Sequence, residues 1–135
     1  MFKDWRVQLG VALVLVVCSA LALRTAMERN RLAETRIVMA NTDSLRTVVL
    51  GREDALGDAP RTCGNREMAE KALADGKRDF GACGVVYFGR IDDQGPYWVE
   101  VAPGGTDFTV HGLASTPDGV MEFTASRAHM AGQAP

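Results

Sequence analysis

The chain has 135 residues, room for one domain, and its apolar fraction of 47% is raised by a single segment near the start. Charge is unevenly placed: residues 1–50 carry seven Lys or Arg against four Asp or Glu, net +3, while residues 51–135 carry eight against thirteen, net −5. An acidic C-terminal half repels phosphate backbones and argues against nucleic-acid binding, whereas the basic stretch beside the apolar segment suits lipid headgroups.

From Val7 to Leu23 the chain reads VQLGVALVLVVCSALAL, seventeen residues without a charge, bracketed by Arg6 and Arg24. At the helical rise these span about 26 Å, the short end of a membrane crossing, which flanking arginines lengthen by snorkelling. Trp5 stands where an interfacial anchor would. The same residues also read as a cleavable signal peptide, with Lys3 and Arg6 as its basic start and Ala20-Leu21-Ala22 as its cleavage site. Continuation of the helical pattern past Ala22 favours the uncut segment. A lipoprotein reading of Cys18 is weaker, because Val17 precedes it where a small residue is wanted.

Between Val11 and Leu50 there is no glycine or proline, which predicts one helix from about Gly10 to Leu50. Its length of roughly 60 Å is about twice the hydrocarbon thickness, so half of it must leave the membrane. That half turns amphipathic: Ile37, Val38, Asn41, Leu45, Val48 and Val49 recur at helical spacing, with Arg29, Arg31, Glu34, Arg36 and Arg46 largely elsewhere. The stripe is expected to pack on the domain behind it. Asn41-Thr42-Asp43-Ser44, four cap-forming residues, are the expected place for a kink or restart.

Gly51, Gly57 and Pro60 mark a loop leading to Cys63. A short helix follows, with Asn65 as N-cap, Met68, Ala69, Ala72 and Leu73 as its apolar face and Gly76 as its stop. The period then alternates in four runs: GVVYFG at 84–89, YWVEVA at 97–102, DFTVHGLAS at 107–115 and VMEFTAS at 120–126. The separators, Asp92-Asp93-Gln94-Gly95-Pro96, Pro103-Gly104-Gly105 and Thr116-Pro117-Asp118-Gly119, supply turn residues, so a four-stranded antiparallel meander is expected. Such a sheet needs a covering helix, and the amphipathic half of the long helix is the candidate.

Cys18 lies in the apolar segment and behaves there as a small hydrophobe, which leaves Cys63 and Cys83 as natural partners. A bridge between them closes a loop of about twenty residues, worth roughly 3 kcal/mol in the chain-entropy model. The alternative is two thiols in a cytosolic domain. Arg24, Arg29, Arg31 and Arg36 behind the segment, against Lys3 and Arg6 before it, point to that cytosolic side by the positive-inside rule, and Glu28 and Glu34 count little there. The reading adopted is the disulfide.

No catalytic constellation emerges. His111 falls inside a strand pattern and His129 in the polar tail, without metal-ligand spacing to cysteine or to each other. Asp92 and Asp93 belong to a turn, and Gly104-Gly105 precedes a strand where a phosphate loop needs a helix. Phe88, Tyr97 and Trp98 form an aromatic group that suits either a binding face or a core. No catalytic residue, metal or cofactor is expected.

In layout the chain resembles the type IV pilins and type II secretion pseudopilins. The likeness covers most of it: RLAETRIVMANTDSLRTVV is similar to the emergent helix of such proteins, and YWVEVAPGGTDFTVHGLASTPDGVMEFTAS to their terminal hairpins. The opening MFKDWRVQLG departs from the Gly-Phe-Thr-Leu-Ile-Glu-Leu-like start of the family, and of its N-terminal glutamate only Asp4, followed by Arg6, is a counterpart. The resemblance implies an α+β fold in which a long N-terminal helix packs on a four-stranded sheet, divided into an apolar segment 1–23, an amphipathic continuation 24–50 and a head 51–135. It implies assembly through Phe2, Asp4, Trp5, Val7, Leu9, Val11, Leu13, Leu15, Val17 and Leu21. The function implied is a structural subunit of a pilus-like or pseudopilus filament, without catalysis, whose partners are its own copies, other pilus-assembly proteins and membrane lipid. Its place would be the bacterial inner membrane with the head in the periplasm, or an extracellular filament. A single-span accessory subunit of a membrane complex and a secreted binding domain released after Ala22 are the alternatives.

Overall fold

A computed structural model describes residues 4–91 and 94–132, with only the backbone of 27–32. Phe2, Lys3, Asp92 and Asp93 thus lie outside the described residues, as do the side chains of Glu28, Arg29 and Arg31. The fold is α+β: helices α1 (Asp4–Leu56), α2 (Arg66–Ala74) and α3 (Ala82–Phe88) precede strands β1 (Tyr97–Val101), β2 (Phe108–Thr116) and β3 (Gly119–Ser126). The strands form one antiparallel sheet in the order β1-β2-β3. By contacts the chain divides into two compact units, residues 1–33 and residues 34–135, and α1 contributes to both.

Helix α1 passes through Gly51, where the expected loop was to begin, and stops at Gly57, whose φ of 67° is left-handed and whose N–H donates to Glu53 O at 3.0 Å. An interior glycine costs a helix about 1 kcal/mol. The additional turn is anchored from outside, since Arg52 Nη2 donates to Tyr87 O at 2.9 Å and Glu53 accepts from Arg127 at 2.7 Å. No break occurs at Asn41–Ser44. Thr42 is buried and donates to Val38 O at 2.7 Å, Asn41 Nδ2 donates to the Tyr97 hydroxyl at 3.0 Å, and Asp43 accepts from Ala131 N–H at 2.6 Å. Side chains that would compete for the helix backbone are thus occupied by tertiary partners or by the carbonyl one turn back.

The sheet is covered on both faces. On one, Val38, Leu45 and Val49 of α1 share a buried cluster with Val99, Phe108, Val110, Ala114 and Ala125, and Val48 packs on its rim. Burial of side chains this size stabilises by about 1.5–3 kcal/mol each. Ile37 belongs to the expected stripe but is 58% exposed. It precedes Val38 by one residue, about 100° round the axis, while the buried line runs through 38, 42, 45 and 49. On the opposite face, Trp98 and Leu113 form a second cluster with Ala69 and Leu73 of α2. Helix α2 begins as expected, with Asn65 Oδ1 accepting from Met68 N–H at 2.8 Å. At its other end Gly76 N–H donates to Leu73 O and Lys77 N–H to Ala72 O, the paired bonds of a Schellman stop.

The expected first strand, 84–89, is corrected to helix α3, so the sheet has three strands. Val85, Val86, Tyr87 and Phe88 have strand propensity, yet Cys83, Gly84 and Tyr87 are buried at helical spacing. Two glycines bound the turn of helix: Gly81 at φ 64° before it, and Gly89, left-handed, after it. The Cys63–Cys83 disulfide ties its start to the loop beside β1, with Cα atoms 5.2 Å apart. Tyr87 fixes its end, its hydroxyl accepting from Arg61 N–H and donating to Arg61 O, both at 2.8 Å. These tertiary ties outweigh local β preference.

Candidate functional site

Two features stand out, one in each compact unit. The first is the apolar part of α1. Asp4–Ala26 contains an eighteen-residue window of mean hydropathy 2.2 and none of it is buried, and it is long and apolar enough to cross a membrane, a description that a signal sequence near the N-terminus also meets. Trp5, Val7, Leu9, Val11, Leu13, Leu15, Val17 and Leu21 are all at least half exposed. Asp4 is exposed at the helix start, the Arg6 guanidinium lies 5.8 Å from the Trp5 ring, and Cys18 is an exposed free thiol. Eleven large apolar side chains from Trp5 to Leu23 face outward. At about 1.5–3 kcal/mol each, leaving them in water forgoes more than the whole stability of a typical domain. Water therefore disfavours this surface.

The second is a polar cluster on the α2 side of the sheet. Register sets Trp98 beside His111, and the imidazole lies flat on the indole, with centroids 4.5 Å apart and planes 5° apart. Its Nδ1 is 2.7 Å from Glu122 Oε1 and its Nε2 is 3.3 Å from Glu100 Oε2, without hydrogen-bond alignment in the second case. Arg66, at the start of α2, reaches Glu122 at 3.2 Å and Glu70 at 2.8 Å. Those carboxylates hold its guanidinium above the ordinary arginine range, the Glu70 hydrogen bond contributing most. A groove of about 430 Å³ opens between Thr62, Asn65, Trp98 and His111. The groups around the imidazole are carboxylates, an indole and a guanidinium, so the cluster cross-links α2 and the three strands. Among the described residues no group of three or more His, Cys, Asp or Glu is arranged to hold a metal ion.

The aromatic residues anticipated as one group are divided. Phe88 stacks on Phe80 at 4.7 Å and Phe80 lies 5.1 Å from Tyr97, whereas Trp98 faces the opposite side of the sheet. Consecutive strand residues point to opposite faces, so Tyr97 and Trp98 had to part. Burial raises the pKa of the Tyr97 and Tyr87 hydroxyls, with the Asn41 bond opposing it at Tyr97 and the Arg61 backbone bond at Tyr87. His129 engages Ser126 through its backbone. The cluster of Arg66, Glu122 and His111 is absent from the expectations because it depends on cross-strand register, although the alternation of VMEFTAS already sets Glu122 and Thr124 on a common face. Comparison with protein-family models, with curated proteins and with solved structures finds no match for this chain.

Proposed function

We propose that the chain is a non-catalytic structural subunit of pilin type, held in the bacterial inner membrane by the apolar part of α1 and assembled through the same surface into a pilus-like or pseudopilus filament. The observation that carries this reading is the wholly exposed apolar surface of Asp4–Ala26, together with a head whose buried clusters, among the described residues, draw on Val38 and residues after it. A segment that the head's core does not use, and that water disfavours, acts through lipid and like helices. Packing copies side by side buries the same surface that suits a bilayer, and a helical array follows where the contact is heterologous and does not close. The Cys63–Cys83 disulfide suits an oxidising compartment for the head. An amphipathic helix laid on an antiparallel sheet is the coarse architecture that the pilin resemblance implies, with three strands here where it implies four.

The test is electron microscopy of material sheared from cells that express the chain with an epitope tag at its C-terminus. Tagged fibres are expected. Recovery solely in the membrane fraction supports a single-span anchor instead, and recovery as a soluble chain lacking its apolar segment supports a signal sequence; either result overturns the filament reading.

A further inference from the structure

Strand β3 is an edge strand, and its ladder determines which backbone groups face outward. Leu113 N–H donates to Pro96 O at 2.9 Å, on the β1 side, so its cross-strand partner Glu122 exchanges no bonds with it. Ser126 is consistent: its N–H donates to His129 O at 2.7 Å and its O accepts from His129 N–H at 3.3 Å, away from β2. By two-residue alternation Val120, Glu122 and Thr124 also turn N–H and C=O outward. Among the described residues these six groups have no hydrogen-bond partner. The other edge differs, because Val99 on β1 exchanges bonds with Cys63 at 3.0 and 3.1 Å.

An open edge is a template for a further strand unless proline, a bulge or several charges block it. β3 contains no proline, and its one charged residue is Glu122. Beside it lies a groove of about 380 Å³, bordered by Met121, Phe123, Met130 and Ala131. Met121 is half exposed, and Phe123 and Ala131 are partly buried at the rim of the main core, so an added strand with apolar residues on that side would extend an existing packed layer. The open run ends at Ser126, which His129 already satisfies, and so accepts a segment about five residues long.

Charge selects the occupant. Around Arg66 and His111 stand three carboxylates, Glu70, Glu100 and Glu122, against one guanidinium. Isologous pairing of β3 with β3 of a second copy over the whole run would set Glu122 against Glu122, and like charges directly opposite are destabilising. We propose that the outer edge of β3 is a strand-addition site for an extended segment of another polypeptide, with apolar residues over Met121 and Phe123 and a basic side chain opposite Glu122. Backbone bonds supply the grip, and Glu122 with its acidic neighbours supplies the choice of partner.

The probe is a capped peptide with the core Thr-Val-Lys-Val-Thr, added to the full chain in detergent micelles while amide hydrogen exchange is followed. The expected result is at least ten-fold slower exchange at Val120, Glu122 and Thr124, with Met121 and Phe123, already bonded to β2, unchanged. The same peptide with glutamate at its centre should need at least ten-fold more peptide for equal protection, and Glu122→Lys should reverse that preference. Thr124→Pro removes an outward N–H without removing a ladder bond, so the far-UV circular dichroism should stay and the protection should vanish. No protection by the lysine peptide, or protection that survives Thr124→Pro, overturns the proposal. Protection that grows with protein concentration and needs no peptide overturns it in favour of a second copy. None of this depends on the filament reading.

Discussion

At Gly112 the sheet lies close against α1. A Cβ built there would overlap Thr42 Oγ1 and lie 3.0 Å from Val38 Cγ1, so any side chain forces the helix and sheet apart. Gly112→Ala should destabilise the head by about 1–3 kcal/mol, the usual cost of overpacking. Thr42→Ala removes the closest atom, and the double variant measured by urea unfolding should lose less than the sum of the two single ones. The tyrosines make a second prediction. Burial raises the pKa of Tyr97 and Tyr87 above that of the unfolded chain. Their contribution is complete below the unfolded value of about 10 and is lost as pH rises from there through the folded value, where the unfolded chain releases protons that the fold retains. Unfolding free energy should therefore fall steeply above about pH 10, and Tyr97→Phe with Tyr87→Phe should flatten that fall.

At the scale of elements, α3 illustrates a helix held by its surroundings rather than by its composition. Its seven residues are too few to persist alone. The disulfide at its start and the Tyr87 bonds at its end define its ends. Replacing both cysteines by serine should cost about 3 kcal/mol in the chain-entropy account of a loop of this size. The amides of α3 should lose hydrogen-exchange protection before those of β2, whose pairing with β1 and β3 is independent of the bridge. Equal loss in both elements would show that α3 is not separately anchored. The last turn of α1 is held in a similar way, since Arg52 and Glu53 carry it past Gly51 by reaching Tyr87 O and Arg127.

At the scale of the molecule, the two compact units differ in what they need. Residues 34–135 contain both buried clusters, the disulfide and the sheet. A fragment starting at Glu34 should fold in water and unfold in one cooperative, concentration-independent transition. The full chain should instead require detergent or bilayer, because Asp4–Ala26 leaves its apolar side chains exposed. Full-length protein that stays monomeric and soluble without detergent would contradict the role given to that segment. Thermal unfolding of the fragment followed by circular dichroism, together with sedimentation of the full chain, measures both.

Much of this fold was legible in the chain. The run from Val11 to Leu50 without glycine or proline is a local property and yields a long helix by itself; Asn65, Gly76 and the turn residues between the last three runs act over a few residues, so the short helix and β1–β3 could be read directly. The spacing of Val38, Leu45 and Val49 marks the face of α1 that packs. What the chain alone left open involves contacts between distant residues. Helix or strand at 82–88 is decided by Cys63 and Arg61, straight or broken helix at Asn41–Ser44 by Tyr97 and Ala131, and the grouping of His111 with Glu122 and Arg66 by strand register. Local propensities differ by only fractions of a kcal/mol per residue, and a single buried contact or bridge outweighs them.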